Sequence, residues 1–382
     1  MENKNIILLG GYGNFGKRIA ENLLNLVNVT IIITGRNYDK AVEQCAEFEQ
    51  RKASVRLKPA ELDIQSTTFE KNLLSLDPFL VIHTGGPFQK QGYRVPQACI
   101  DIGSHYIDLA DDRRFVCDIN QLNSAAKENN VLVVSGASSV PGLSSTVIDH
   151  YLPQFKQLKT IDFAISPGNK AERGEATIRA ILSYTGHPFK ALRNKEWINV
   201  FGWGDTRKRD FGGSIGSRWL ANIDIPDMEL FPNRYPSVET VQFQAGLEVS
   251  LLHHCMSFMS KIVQFKLVRN WAPFTKWIVK GSKLLLPFGT DDGGMQVTLQ
   301  GVGINGKQLK IDWTLFAEGG VGPYIPIIST IILTKKLVGQ SINKTGAMAC
   351  QGMYCLEEFD EYAKAWGIYH TEHNNQSHAV VN

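Results

Sequence analysis

Short apolar runs alternate with helical patterns along the first third of the chain. Residues 6–9 and 29–34 are apolar or β-branched runs, and between them Ile19, Ala20 and Leu23 fall on one face of a predicted helix. Continuous runs of this kind are typical of strands buried on both faces of a parallel sheet. Similar runs follow at residues 55–57, 79–83, 106–109 and 131–135, mostly with helical patterns between them. The pattern predicts a doubly wound parallel sheet.

The pattern changes after residues 141–142, where longer segments alternate between apolar and polar residues. Such alternation occurs at residues 160–165, 294–302 and 308–316, and the last two segments flank Asn305 and Gly306. Asn-Gly is a strong hairpin signal because both residues tolerate a positive φ. We therefore predict a second, α+β domain with a mostly antiparallel sheet and with irregular structure over residues 184–235. Helical patterns at residues 325–337 and 357–366 precede a polar tail that we expect to be loose.

A glycine-rich turn follows the first predicted strand and opens the first predicted helix. It contains the fingerprint Gly11-Tyr12-Gly13-Asn14-Phe15-Gly16. The first glycine permits the tight turn, the second lets the backbone approach a pyrophosphate, and the third lets the helix pack closely on the strand. With the second strand at the expected distance, this predicts a Rossmann domain that binds a dinucleotide through Gly11, Gly13, Asn14, Phe15 and Gly16. The alternative is a glycine turn that binds nothing.

The end of the second predicted strand lacks the acidic residue that an NAD enzyme usually presents to the ribose. The chain has Thr34-Gly35-Arg36-Asn37 there. The missing carboxylate removes a repulsion, and Arg36 supplies a guanidinium suited to the 2′-phosphate of NADP. These four residues therefore predict NADP rather than NAD as the cofactor. In the alternative interpretation, Arg36 is a solvated loop charge.

Two further strand ends carry candidate cofactor-binding residues. Asp63 follows the third strand, where it could meet the adenine or cap the structure that follows. Thr84, Gly85 and Gly86 follow the fourth strand, and open α/β sheets bind their ligands at the carboxyl ends of the strands. The two glycines would let the backbone approach the second ribose and the nicotinamide. A plain turn fixed by Pro87 is equally compatible with this sequence.

Asp108 and Asp111 follow the fifth strand, beside the expected position of the nicotinamide. A carboxylate there could act as an acid or a base if burial tunes its pKa. Both are therefore candidate catalytic residues. In the alternative interpretation, Asp108 caps a helix and Asp111 is solvated.

Composition and charge exclude several classes of protein. Hydrophobic residues make up 43% and charged residues 20%, which is the mix of an ordinary globular protein. The 40 Lys and Arg, against 37 Asp and Glu, form no basic block, so no nucleic acid partner is expected. The six cysteines include no CxxC pair, which predicts neither a metal site nor a disulfide scaffold and favours a cytoplasmic location. Neither a signal peptide nor an integral membrane segment is expected.

Several motifs resemble those of one protein family. The run GGYGNFGKRIAENL at residues 10–23, then TGRN, then HTGGPFQKQGYRVPQACIDIGSHYIDLADD at residues 83–112 resemble the NADP-binding domain of the saccharopine dehydrogenase family. The elements GGPF, QAC and HYIDLAD follow the family's order and spacing, and the likeness covers about the first 145 residues. A weaker likeness continues in PGLSS and AEGGVGPYIP. The resemblance implies a Rossmann domain, NADP as the cofactor, a small-molecule substrate and a homodimer.

The resemblance also implies a domain order. Residues 1–145 form the Rossmann domain, and a substrate and dimerisation domain over residues 146–325 is inserted before the chain returns. Residues 326–382 then form C-terminal helices that return to the Rossmann domain, followed by the polar tail.

Three functional interpretations follow. The leading one is an NADP-dependent oxidoreductase that transfers a hydride to or from a carbon–nitrogen centre, as in an imine or an amino acid. A second is a reductase of a lipid-linked carbon–carbon double bond, which would be favoured by an apolar substrate wall drawn from Phe201, Trp203, Trp219 and Phe231. The third is a non-catalytic NADP-binding scaffold or sensor.

Overall fold

The chain folds into two units, and each is described by itself. The structure, a computed structural model, describes residues 3–51, 54–172 and 174–377. Unit 1 comprises Met1–Gly142 and Pro326–Tyr354, and unit 2 comprises Leu143–Ile325 and Cys355–Asn382.

The strands and helices are numbered in chain order. The strands are β1 Lys4–Leu9, β2 Val29–Gly35, β3 Arg56–Glu61, β4 Leu80–His83, β5 His105–Asp108, β6 Leu132–Ser135, β7 Phe155–Ser166, β8 Pro188–Arg193, β9 Glu196–Phe201, β10 Arg207–Asp210, β11 Ser217–Asn222, β12 Thr240–Ala245, β13 Gly293–Gly303, β14 Gln308–Ala317, β15 Gly346–Ala349 and β16 Tyr369–Ser377. The α-helices are α1 Asn14–Leu23, α2 Tyr38–Glu49, α3 Phe69–Ser75, α4 Arg94–Asp101, α5 Arg113–Cys117, α6 Asn123–Glu128, α7 Ser144–Tyr151, α8 Glu175–Tyr184, α9 Asp227–Arg234, α10 Ser250–Gln264, α11 Thr275–Ser282, α12 Ile325–Val338 and α13 Leu356–Lys364.

Unit 1 is built on a parallel sheet whose described strands have the order β15-β6-β5-β4-β1-β2-β3. The apolar runs form the centre of this sheet, where Ile7, Val81 and Val133 are fully buried. The strand order reverses between β1 and β4. The carboxyl ends of these neighbouring strands therefore border the crevice in which doubly wound sheets bind ligands.

Helix α12 is apolar on several sides, and Ile327, Ile328 and Ile331 are fully buried. A helix that is hydrophobic all round belongs in a protein core or in a membrane. Among the residues that the structure describes, no helix is long and apolar enough to span a membrane.

Unit 2 is built on a second sheet with the order β10-β11-β12-β7-β13-β14-β16. Neighbouring strands are antiparallel except β12 and β7, which pair parallel. Strands β13 and β14 form the predicted hairpin, and Gly306 in its turn has a φ of 78°. Strands β8 and β9 pair separately. A Rossmann-type parallel sheet and a mostly antiparallel second sheet confirm the predicted fold class.

Three segments differ from the expectation drawn from the sequence. Residues 184–235 contain four strands and α9 rather than irregular structure. Gly346–Ala349 adds β15 to the edge of the parallel sheet beside β6. The C-terminal segment lies in unit 1 only as far as Tyr354, and residues from Cys355 onward lie in unit 2. There Tyr369–Ser377 forms β16 and pairs with β14. We expected this polar sequence to be loose, but backbone hydrogen bonds to the edge of β14 order it.

Candidate functional site

The glycine-rich turn is held by backbone hydrogen bonds at the carboxyl end of β1. The amides of Gly10 and Gly11 donate to the carbonyl oxygen of Thr34, at 3.0 and 2.9 Å, and the amide of Gly13 donates to the carbonyl of Gly10 at 2.8 Å. Gly13 is the N-cap residue of α1, and no side chain caps this helix. The first amides of α1 are therefore available to an anion, as a dinucleotide pyrophosphate requires.

Glycine is required sterically within this turn. A Cβ atom on Gly16 would lie 2.7 Å from the Cα atom of Gly11 and closer still to the carbonyl oxygen of Gly10. On Gly11 it would lie 3.0 Å from the carbonyl oxygen of Leu8, and on Gly13 it would lie 3.1 Å from that of Gly10. The glycines thus allow α1 to approach β1, which leaves an open backbone cradle that fits a dinucleotide.

Asn14 and Phe15 are the first two residues of α1. The guanidinium of Arg18 donates to the Asn14 side-chain oxygen and, at 2.8 Å, to its backbone carbonyl. Phe15 is half-buried. Both predicted cofactor-binding residues therefore lie at the end of the helix that faces the turn.

The end of β2 is shaped by Tyr12, a residue of the fingerprint. Its aromatic ring fills the space that a side chain on Gly35 would occupy, and its hydroxyl oxygen accepts a hydrogen bond from the amide of Asn37 at 3.0 Å. The Asn37 side chain caps α2 by accepting from the amide of Lys40, also at 3.0 Å. The buried hydroxyl of Thr34 donates to the carbonyl of Leu8 at 2.9 Å. Thr34, Gly35 and Asn37 therefore fix the backbone at this strand end.

Arg36 lies in this ordered segment with its side chain exposed. Among the described residues it has no ion-pair partner. An exposed guanidinium without a protein carboxylate beside it is available to a phosphate group. This geometry fits the role in 2′-phosphate binding that the sequence predicts for Arg36.

Asp63 stabilises the turn that follows β3. Its carboxylate accepts from the amide of Gln65 at 3.0 Å, and its carbonyl accepts from the amide of Ser66, also at 3.0 Å. Capping was one of the two roles considered for this residue.

The segment after β4 lies against the glycine turn. The hydroxyl of Thr84 donates to the carbonyl of Leu9 at 2.8 Å. A Cβ atom on Gly85 would lie 3.2 Å from Nε2 of His83, and the Gly85 carbonyl accepts from the side-chain amide of Gln91 at 3.0 Å. Around Gly86, a Cβ atom would meet nothing closer than 3.7 Å. The predicted residues Thr84, Gly85 and Gly86 therefore lie at the carboxyl ends of β1 and β4, beside the glycine turn.

Asp108 is fully buried at the end of β5. Its Oδ1 accepts three hydrogen bonds: from the amide of Gly136 at 2.8 Å, from the amide of Ala110 at 2.9 Å and from the hydroxyl of Ser135 at 3.0 Å. Burial raises the pKa of this carboxyl to about 6, against the lowering effect of these hydrogen bonds. Asp108 joins the ends of β5 and β6, so the helix-cap alternative does not describe it.

His83 is the register partner of Asp108 on the neighbouring strand β4. Its Nδ1 lies 3.0 Å from the hydroxyl of Tyr106, and burial lowers the pKa of the imidazole to about 4, so the ring is neutral. Oδ2 of Asp108 and Nε2 of His83 are buried and have no partner at full hydrogen-bond geometry among the described residues, although the Tyr106 side chain is close enough to the Asp108 carboxyl to lower its pKa. Such atoms can mark functional sites, but the described part of the chain has others, among them Nε1 of Trp313 and both ring nitrogens of His253.

Asp111 lies three residues beyond Asp108 and is exposed. Its carboxylate accepts from the side-chain amide of Gln89 at 3.3 Å. The neighbouring Asp112, rather than Asp108, caps α5 by accepting from the amide of Phe115 at 2.9 Å. Asp108 is thus a buried residue and Asp111 an exposed one, but desolvation and the neighbouring Asp112 also raise the pKa of the Asp111 carboxyl.

The sequence-based argument missed four contributors to this region: Tyr12, Gln91, Ser135 and Gly136. The signal for the last two was present, because they end the sixth predicted strand and strand ends form the ligand edge. The roles of Tyr12 and Gln91 depend on contacts between segments, which the local pattern does not encode.

Three comparisons with known proteins bear on this site. Residues 6–134 match the family model described as the saccharopine dehydrogenase NADP-binding domain. Among solved structures, the chain resembles apo saccharopine dehydrogenase (L-Glu forming) from Saccharomyces cerevisiae, with 14% identity and a TM-score of 0.68 over 98% of this chain and 100% of that chain. An amine dehydrogenase from Mycobacterium smegmatis matches with 11% identity and a TM-score of 0.45, over 92% and 95% of the two chains. A search of curated proteins returns no match.

The family match confirms the predicted NADP-binding domain and, with it, NADP as the cofactor and an oxidoreductase as the class of protein. The likeness to the yeast enzyme shows the shared fold across both units.

Proposed function

We propose that this protein, whose residues 6–134 match the saccharopine dehydrogenase NADP-binding domain, transfers a hydride to or from a carbon–nitrogen centre. The proposed substrates are imines and the corresponding amines, including amino acids. The observation that carries this proposal is the buried carboxyl of Asp108, which three hydrogen bonds to Oδ1 hold at the carboxyl end of β5.

The residues at this edge fit NADP. The open glycine turn from Gly11 to Gly16 and the uncapped start of α1 suit the pyrophosphate, and the exposed guanidinium of Arg36 suits the 2′-phosphate. The segment from Thr84 to Gly86 suits the second ribose, and Asp63 could also meet the adenine. When bound, NADPH supplies a hydride to an electron-poor carbon.

The charge of Asp108 favours a carbon–nitrogen centre. An iminium carries a positive charge, which a carboxylate in a poorly solvated site stabilises strongly. Reduction of a carbon–carbon double bond instead develops negative charge, which a carboxylate would repel. The hydrogen bonds to Oδ1 hold the carboxyl in place, and Oδ2 is the oxygen proposed to meet the substrate nitrogen.

The two carboxyls have complementary proposed roles. Asp108, with a pKa of about 6, exchanges a proton with the substrate nitrogen near neutral pH. Asp111 is an exposed residue whose carboxyl pKa is raised by desolvation, and its proposed role is to exchange protons with solvent. Neutral His83 beside Asp108 adds a polar atom without adding a second charge.

Two of the four aromatic residues considered for an apolar substrate wall are buried, whereas Phe201 is 38% exposed and Trp219 is half-buried. Trp203 is 3% exposed and Phe231 is fully buried, where its ring packs against Phe163 and Tyr235. These two aromatic residues belong to the core of unit 2.

The test combines cofactor binding with turnover. Calorimetric titration should show binding of NADPH in preference to NADH. Oxidation of NADPH, followed by absorbance, should then require a 2-oxo acid and an amine together, because only their mixture forms an imine. Asp108→Asn should retain NADPH binding and lose turnover.

Other outcomes separate the alternatives. Oxidation with α,β-unsaturated acyl compounds and not with imines would favour the double-bond reductase. Binding of NADPH without oxidation by either substrate class would favour a scaffold or sensor. A homodimer and a cytoplasmic location stay predictions, and sedimentation equilibrium would test the first.

A further inference from the structure

Residues 249–289, here termed the apolar-basic segment, connect β12 to β13 in unit 2 and contain α10 and α11. The two ends of the segment are joined at its base. Oε2 of Glu248 accepts from the amide of Thr290 at 2.9 Å, and Oε1 accepts from the Thr290 hydroxyl at 2.8 Å. The segment is therefore an ordered helical excursion from the sheet of unit 2.

Exposed hydrophobic side chains are concentrated in this segment. It contains nine of the 17 exposed large hydrophobic residues among the described part of the chain: Leu251, Phe258, Phe265, Leu267, Phe274, Trp277, Leu284, Leu286 and Phe288. Five of these are at least 74% exposed. Single exposed hydrophobic residues are normal, but a concentration of them marks an interaction surface.

Helix α10 has its apolar stripe on the outside. Leu251, Phe258 and Phe265 are 60%, 64% and 75% exposed, and their seven-residue spacing places them along one line of the helix and its end. The opposite face is buried and includes the polar residues His253 and Ser260, whose hydroxyl donates to the carbonyl of Gly202 at 2.7 Å. A surface helix normally has the reverse arrangement. The outward stripe is therefore not explained by packing within unit 2.

The same segment is strongly basic. Residues 249–289 include six Lys or Arg and no Asp or Glu, although the whole chain has a net charge of only +3. All six cations are exposed, and none has an ion-pair partner among the described residues: Lys261, Lys266, Arg269, Lys276, Lys280 and Lys283. Because the cations are spread among apolar residues, they form no contiguous basic block in the sequence.

We propose that the apolar-basic segment docks on the surface of an anionic lipid bilayer. Its aromatic and leucine side chains would enter the boundary between headgroups and acyl chains, while the lysines would reach the lipid phosphates. Each cation near an anionic surface adds to the attraction. The segment would lie on the bilayer, since neither of its α-helices exceeds 15 residues.

Charge and composition favour this partner over two others. In a two-fold dimer the surface would face its own copy and bring like charges together without any acidic residue to pair with them. Single-stranded nucleic acid is bound by stacking on aromatic rings, and four of the nine exposed residues are leucines, which offer no such contact.

The test is co-sedimentation of the full chain with vesicles of phosphatidylcholine alone or mixed with phosphatidylglycerol. The mixed vesicles should bind the protein more tightly, and added salt should weaken that binding. Phe258→Ser with Trp277→Ser, and separately Lys276→Glu with Lys280→Glu, should each weaken binding at least about tenfold.

Matched controls lie outside the segment. Val27→Ser with Ile304→Ser removes apolar side chains that are 72% and 74% exposed, and Lys58→Glu with Lys344→Glu makes the same change in charge. Both controls should bind mixed vesicles like the unaltered protein, and all variants should keep its unfolding midpoint.

Three results would overturn the proposal. One is absence of binding to mixed vesicles at low salt. Another is equal loss in the control and segment variants. The third is binding of a single-stranded oligonucleotide, or loss of a dimer in the segment variants, without any affinity for vesicles.

Discussion

Gly16 lies so close to Gly11 that a Cβ atom on Gly16 would come within 2.7 Å of the Gly11 Cα atom. The neighbouring atoms are backbone and cannot rotate away. Gly16→Ala should therefore push α1 away from β1 and distort the turn proposed to hold the pyrophosphate. We expect binding of both NADPH and NADH to weaken at least about tenfold, because both share this group.

Gly92→Ala is the matched control for this substitution. A Cβ atom there would meet no atom within 4 Å, so its binding should equal that of the unaltered protein in the same calorimetric titration. Unchanged cofactor binding by a folded Gly16→Ala variant would show that the turn is structural only.

Arg36→Ala tests the choice of cofactor. Loss of a charged hydrogen bond to the 2′-phosphate should weaken NADPH binding by about 1.5–3 kcal/mol and leave NADH binding nearly unchanged. Arg56→Ala is a suitable control, because Arg56 is also exposed but begins β3, at the opposite end of the strands from the proposed site. Equal losses for the two cofactors would remove Arg36 from 2′-phosphate recognition.

The pH dependence of turnover tests Asp108. If its ionised carboxylate stabilises an iminium, kcat/KM should fall as the pH decreases through about 6, where this carboxyl becomes protonated. Asp108→Asn should lower kcat/KM and abolish that limb of the profile. If kcat/KM of the Asp108→Asn variant still fell below about pH 6, another group would be responsible for that fall.

The same pKa predicts a pH dependence of stability. The pKa of Asp108 is raised from 3.8 to about 6, so between these values the folded state binds the proton more tightly than the unfolded state does. Stability due to this group is therefore present at low pH and lost as the pH rises. Relative to the unaltered protein, Asp108→Asn should gain on the order of 2–3 kcal/mol between about pH 4 and pH 7. Urea unfolding at several pH values measures the difference, and a difference independent of pH would contradict the assignment.

The parallel sheet could be predicted because its strands carry their own signal. The apolar runs around Ile7, Val81 and Val133 match strands that are buried on both faces. Strand β15 has the sequence GAMA, without β-branched residues, and its place beside β6 depends on pairing between distant segments. Strand β10 has the sequence RKRD, in which Arg207 and Arg209 form ion pairs with Asp162. Neither β10 nor β15 has the apolar or alternating pattern from which a strand is predicted.

For the candidate site, as for the fold, the sequence predicted positions along the chain but not contacts between distant segments. The glycine spacing and the strand ends located the candidate residues at the carboxyl ends of the parallel strands, because those positions follow from the order of strand, turn and helix. The environment of Asp108 was not predictable, since its burial and its bonds to Ser135 and Gly136 arise from the packing of β5 beside β6. A pKa depends on such surroundings more than on sequence position.

Glu248→Gln tests the base of the apolar-basic segment. Glu248 and Arg218 form an ion pair at 3.1 Å with side chains only 8% and 11% exposed, and Glu248 also accepts from the amide of Asn169 at 2.7 Å. Removing this charge leaves the guanidinium buried without its partner, which should lower the free energy of unfolding by about 3–5 kcal/mol. Glu175→Gln, which breaks an exposed pair with Arg179, should cost less than about 1 kcal/mol. Equal losses in the free energy of unfolding for the two variants would mean that water screens both ion pairs alike. The contacts of Glu248 would then not stabilise the junction between the two ends of the segment.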